Sequence, residues 1–118
     1  MEKKSLKSSE KNMVESKYRI KITPKANDDL DEIYSYIAEE LFNEDAAENL
    51  IDKIENNIIR LRDFPLSCSL DEDDVLRSKG YRKLVVENYI AFYIVDEIEK
   101  QVVIMRVLYG RQKYQDII

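Results

Sequence analysis

Histidine is absent from this 118-residue sequence, cysteine occurs once, at Cys68, and there are only two glycines and two prolines. Without histidine the usual nitrogen ligand for zinc or iron is missing, and no Ser-His-Asp or Cys-His nucleophile can be assembled. A lone cysteine cannot close an internal disulfide. No metal and no cofactor are therefore expected, and any catalysis falls to Arg, Lys, Tyr, Asp or Glu. Long apolar runs are missing too. Tyr89 to Val95 and Val102 to Leu108 are far too short to span a bilayer, and Glu2 to Lys11 lacks the apolar segment of a signal peptide. The expectation is a cytoplasmic protein with no membrane partner.

What is present suits one buried core under a densely charged surface: 44% of residues are apolar and 36% charged, in a chain of single-domain length. Residues 1–17 are polar, rich in Lys, Ser and Glu, and lack the periodicity of a packed element, so they read as a flexible leader. Met13, shortly before the first patterned segment, is a candidate true start. Residues 18–118 read as the folded domain.

Tyr18-Arg-Ile-Lys-Ile-Thr23 alternates apolar and charged residues with period two, the mark of a half-buried strand. Thr23-Pro24 then starts a helix, because the threonine hydroxyl accepts an orphan amide and proline fits the first turn. Ala26, Leu30, Ile33, Ile37 and Leu41 share one face of it. Asn43 caps a second helix with the stripe Ala47, Leu50, Ile51, Ile54, Ile58 and Leu61, and the short connection predicts an antiparallel helical hairpin. Phe64-Pro65 ends it, and Leu66 to Asp74 reads as an exposed acidic loop.

Three runs rich in β-branched and aromatic residues follow, Arg82 to Val86, Tyr89 to Val95 and Gln101 to Leu108, separated by short polar connections that suit an antiparallel meander. In the last run Val103, Met105 and Val107 are assigned to one face and Val102, Ile104, Arg106 and Leu108 to the other. The predicted fold is thus α+β: an N-terminal strand, an antiparallel helical hairpin, then a three-stranded antiparallel meander packed against the helices. One face of its sheet is left to a shallower concavity into which Arg106 could project.

Charge divides along the chain. Residues 18–74 carry 6 Lys/Arg against 16 Asp/Glu, whereas residues 75–118 carry 8 against 5. The helical hairpin is acidic and the sheet with its tail mildly basic, so an anionic ligand should approach the sheet. Arg82, Arg106, Tyr109, Arg111 and Lys113 are the candidate site residues, with Tyr114 beside them. Arginine can hold phosphate oxygens and stabilise developing negative charge, tyrosine can relay a proton or stack on a base, and lysine can act as an acid. Arg82 paired with an acidic neighbour and Arg106 in a partly buried ion pair are structural readings of equal weight. Tyr89, Phe92 and Tyr93 read as packing groups.

The order of the elements and six local patterns resemble the RelE/ParE superfamily of toxins from bacterial type II toxin–antitoxin modules. The pieces are Tyr18-Arg-Ile-Lys-Ile-Thr-Pro-Lys-Ala, Asp29-Leu-Asp-Glu-Ile-Tyr-Ser-Tyr-Ile, Ile59-Arg-Leu-Arg-Asp-Phe-Pro, Gly80-Tyr-Arg-Lys-Leu, Tyr89-Ile-Ala-Phe-Tyr-Ile-Val and Arg106-Val-Leu-Tyr-Gly-Arg. The resemblance covers about residues 18–118. It implies a growth-arresting toxin neutralised by a cognate antitoxin that wraps its surface, in a complex that can assemble to higher order.

Two mechanisms occur in the superfamily. RelE-like members cut mRNA on the ribosome with basic residues and a tyrosine or histidine, whereas ParE-like members inhibit DNA gyrase without being nucleases. Arg111 matches the arginine that the nucleases carry just after the last strand, and Tyr109 falls where many relatives have histidine. The strand position where nucleases usually carry arginine is here Ile90, so Arg82 or Arg106 would have to take its part. The resemblance leaves three expectations: a ribosome-dependent mRNA endonuclease, a gyrase inhibitor, and a member that binds antitoxin without toxicity.

Overall fold

The computed structural model describes residues 17–111. The leader reading, apart from Lys17, lies outside the described residues, as do Lys113 and Tyr114. The elements are β1 (Arg19–Ile22), α1 (Pro24–Ser35), a π-helical turn (Tyr36–Glu40), α2 (Glu44–Ile59) with a short 3-10 extension (Arg60–Arg62), α3 (Asp74–Ser78), β2 (Arg82–Val86), β3 (Tyr89–Asp96) and β4 (Gln101–Tyr109). The strands form one sheet in the order β1-β4-β3-β2. β2, β3 and β4 are the expected antiparallel meander. β1 joins the free side of β4 in parallel, with Ile20 opposite Val102 and Ile22 opposite Ile104, a polarity that period-two alternation does not encode.

The predicted caps form. The Thr23 hydroxyl accepts from the Ala26 amide at 3.1 Å with Pro24 in the first turn, and the Asn43 carboxamide oxygen accepts from the Ala46 amide at 3.0 Å. The apolar stripe of the first helix breaks at its end. Over Tyr36–Glu40 the ladder widens, and the Leu41 amide reaches the Tyr36 carbonyl five residues back. One extra residue in a turn shifts the helical phase, so Ala38 is buried while Leu41, assigned to the core face from its spacing, is 55% exposed.

Two cores lie on opposite faces of the sheet. On the helix side Leu30, Ile33, Ile54, Ile58 and Leu61 pack on Tyr93, Val102, Ile104 and Val107. On the other face Leu76 of α3 and Tyr81 cover Ile90, Phe92 and Leu108. Adjacent strand residues point to opposite faces, and Phe92 and Tyr93, both fully buried, are the large residues at the two centres. The helix α3 was not expected, and the loop before it is not uniformly exposed. Asp71 is fully buried, its amide donating to the Tyr81 carbonyl at 2.8 Å and its carboxylate accepting from the Asp73 amide at 2.8 Å. Gly80, at φ 84°, closes α3 in the left-handed conformation that glycine adopts without penalty.

A bulge corrects the expected faces of β4. Phe92 pairs with Arg106 but Tyr93 pairs with Ile104, so Met105 is the extra residue. A bulge reverses the in-out alternation beyond it. Val107 therefore joins Val102 and Ile104 on the helix side, and Met105 packs with Leu108 on the other.

Candidate functional site

Because β1 ends at Ile22, the edge of β4 beyond Ile104 has no strand partner on that side, and the chain covers it with side chains from the start of α1. The Thr23 hydroxyl donates to the Met105 carbonyl at 3.1 Å. Asp29, further along α1, accepts from the Val107 amide at 2.9 Å. The same carboxylate takes two hydrogen bonds from Arg106, from Nε to Oδ2 at 2.7 Å and from Nη2 to Oδ1 at 2.9 Å. Little of either side chain meets water, with Asp29 at 8% and Arg106 at 15% exposure. The pair is a planar, bidentate, desolvated clamp. Its hydrogen bonds raise the Arg106 pKa above the usual arginine value against the opposing effect of burial.

Beside the clamp, between α1 and the end of β4, lies a groove of about 630 Å³ lined by Asp29, Glu32, Ile33, Tyr36, Tyr89 and Arg106 with Val107, Leu108 and Tyr109. Tyr89 and Tyr109 face each other across the β3–β4 pair as an edge-to-face contact, 5.7 Å between centroids at 64°. The Tyr89 phenol is pushed above its ordinary pKa by burial and then by the neighbouring Tyr109 and Tyr36, which makes it a worse proton acceptor near neutral pH. Tyr36 stands half exposed at the mouth. The groove thus offers three phenol rings and an apolar floor with the Glu32 carboxylate and the clamped Arg106–Asp29 pair.

The candidate residues separate as follows. Arg106 and Tyr109 line this groove. Arg111 is exposed in the turn just after β4, where the Gly110 amide is tied back to the Asn88 carbonyl at 2.8 Å. Arg82 is elsewhere: it pairs in register with Tyr93, which faces the helices, whereas Arg106 pairs with Phe92, which faces α3. Its Nη1 donates to the Cys68 carbonyl at 2.6 Å. The structure therefore brings Arg106 and Tyr109 to one groove, puts Arg111 two residues beyond, and leaves Arg82 outside it, on β2 opposite Tyr93 with its guanidinium on the Cys68 carbonyl. Ile90 is buried under Tyr81 and Leu108.

Asp29 is not among the candidate site residues that the sequence singles out. A signal was present: positions 26, 29, 30 and 33 share one helical face, and an aspartate inside an apolar stripe needs a buried partner. Among the described residues no cluster of three His, Cys, Asp or Glu side chains has metal-site geometry, and no helix is long and apolar enough to cross a membrane.

Tyr93 anchors the other end of the sheet. Its hydroxyl donates to the Pro65 carbonyl at 3.0 Å, and burial, followed by the neighbouring Cys68, pushes its pKa well above the usual tyrosine value. A phenol whose folded pKa is raised contributes stability that is complete below the unfolded pKa of about 10 and is lost as pH rises above it. Urea midpoints measured from pH 8 to 11 should fall above about pH 10. Tyr93→Phe should flatten that fall while costing about 1 kcal/mol at neutral pH for the lost hydrogen bond.

Comparison with known proteins places these features. The family model described as ParE toxin of type II toxin-antitoxin system, parDE, matches residues 20–114. Among solved structures, a chain of the chromosomal ParDE toxin–antitoxin system from P. aeruginosa superposes with a TM-score of 0.66 at 23% identity, over 80% of this chain and 98% of that one. A chain of the RelBE2 toxin–antitoxin complex from Mycobacterium tuberculosis superposes with a TM-score of 0.55 at 22% identity, over 79% and 91% respectively. At such identities the superpositions speak for the fold. No curated protein sequence matches significantly.

Proposed function

The chain belongs to the ParE toxin family of type II toxin–antitoxin systems, and from that premise we propose that it arrests growth by binding, as an inhibitor of DNA gyrase, and does not cleave RNA. The observation that carries this reading is the Arg106–Asp29 clamp. Phosphoryl cleavage without a metal needs cations aimed at the phosphoryl oxygens and a base for the attacking hydroxyl. Arg106 spends two of its N–H donors on Asp29. Arg82 lies outside the groove, with its Nη1 on the Cys68 carbonyl, and the position where relatives that cut RNA carry arginine is the buried Ile90. The tyrosines of the groove suit a contact surface, since phenol rings supply large amphipathic area at small entropic cost.

The same premise, with two structural neighbours drawn from toxin–antitoxin assemblies, supports a cognate antitoxin as the neutralising partner. Residues 18–118 serve as the toxin domain, with Arg111 at the exposed end of β4 as a target contact. Purified chain should reduce supercoiling by DNA gyrase, and Arg111→Ala should weaken that inhibition about tenfold, the scale of an arginine anchor in an interface. Induced expression should stop growth without new mRNA ends. New ends with supercoiling intact would instead favour the endonuclease reading, for which Tyr109 and Arg111 beside the groove are the supporting residues. Expression without growth arrest would favour a member that binds antitoxin only.

A further inference from the structure

Between Ala26 and Asp52 the chain has ten acidic residues and no lysine or arginine. At the tip of the hairpin built from this stretch, the local rules of helix termination are broken together. Glu39 and Glu40 occupy the last turn, where the negative end of the helix dipole favours cations. Leu41 is the C-cap, and the next residue, Phe42, sits at φ 53°, the conformation in which glycine or asparagine is usual after a C-cap and a bulky side chain is strained. The Phe42 side chain is 90% exposed and Leu41 55%. A cleft of about 440 Å³ beside them is lined by Ala38, Phe42, Asn43, Glu44 and Asp45. Carboxylates of both helices act on this end of the hairpin: desolvation, then Glu48, Glu44 and Glu39, push the Tyr34 phenol above its ordinary pKa. Each departure costs stability, and the packing of the two cores gains nothing from them.

We infer that the Leu41-Phe42 tip is the docking point for a cationic amphipathic segment of the cognate antitoxin, in which an apolar side chain covers Phe42 and flanking lysines or arginines face Glu39, Glu40, Glu44 and Asp45. This rests on the toxin–antitoxin reading above and adds to it the place and chemistry of the contact. Charge complementarity selects the occupant. Nucleic acid and an anionic lipid surface are repelled by the same carboxylates. A second copy of this chain in a twofold contact would set two acidic tips against each other.

Two full-length variants separate binding from folding, because each removes a local strain. Phe42→Gly relieves the left-handed backbone, and the double replacement Glu39→Lys, Glu40→Lys gives the helix end the charge its dipole favours. Both should melt at or above the wild-type temperature. In titrations with purified cognate antitoxin, Phe42→Gly should weaken binding about tenfold or more, the scale of one buried aromatic anchor. The double charge reversal should weaken it about tenfold at low salt, with the gap narrowing as salt is raised. Affinities of both variants within about twofold of wild type, beside a normal wild-type complex, overturn the docking point and leave the toxin–antitoxin reading standing. Absence of any wild-type complex overturns both. Wild-type self-association that Phe42→Gly abolishes, with antitoxin affinity unchanged, assigns the tip to a second copy and overturns the proposal.

Discussion

Asp29→Ala should destabilise the protein by about 3–5 kcal/mol, the cost of leaving one member of a buried ion pair without its partner. Three donors lose their acceptor at once: Nε and Nη2 of Arg106 and the Val107 amide. Arg106 cannot escape by deprotonation, and its low exposure leaves little water to replace the carboxylate. Since domains of this size are stable by only about 5–15 kcal/mol, the alanine variant is expected near the limit of folding. Asp29→Asn keeps an acceptor for Val107 and should cost less, which keeps the measurement within reach of urea denaturation. Replacing both members, Asp29→Ala with Arg106→Met, removes the orphaned charge and should recover part of the loss. An alanine variant as stable as wild type would mean that the clamp does not hold α1 to β4.

Phe92→Ala should cost about 3–5 kcal/mol, the range for removing a buried phenylalanine. Phe92 is fully buried on the sheet face away from the two long helices, and its cluster is small: Leu76, Tyr81, Ile90 and Leu108, flanked by Ile94 and Met105. With few neighbours able to move in, the vacated space stays open, and the cavity adds to the lost transfer energy. The loss should fall first on α3 and the chain between Leu70 and Tyr81, whose apolar anchors Leu76 and Tyr81 rest on this ring. Amide exchange in Phe92→Ala should accelerate there before it does in α2. Equal acceleration everywhere would show that the second face is not a separate packing unit.

Much of this architecture is legible residue by residue. Thr23-Pro24 and Asn43 mark the helix starts because capping is a local hydrogen bond between neighbours in sequence. The stripe of α2 marks its buried face because Ala47, Leu50, Ile54 and Ile58 recur at the helical period. The site was only half legible. Tyr109 and Arg106 fall together because they lie three residues apart at the end of β4, but Arg82 sits on β2, separated from β4 by β3 and outside the groove, a placement that strand proximity in the sequence does not reveal. Asp71, in the loop expected to be exposed, is buried, and so is Asp29.

What the sequence determines by itself is whatever depends on near neighbours or on composition: the helices and strands, the acidic hairpin against the basic sheet, and, through the ordered local patterns, the toxin family. The lack of histidine likewise settles which chemistries are closed. Tertiary structure alone decides four things: that β1 runs parallel to β4, that Met105 bulges and turns Val107 toward the helices, that the π-helical turn throws Leu41 and Phe42 outward, and that Arg106 is held by Asp29. The reason is common to all of them. Each depends on groups that meet only when the chain has closed on itself, Asp29 and Arg106 being 77 residues apart, or on a one-residue change of phase that hydrophobic spacing does not record.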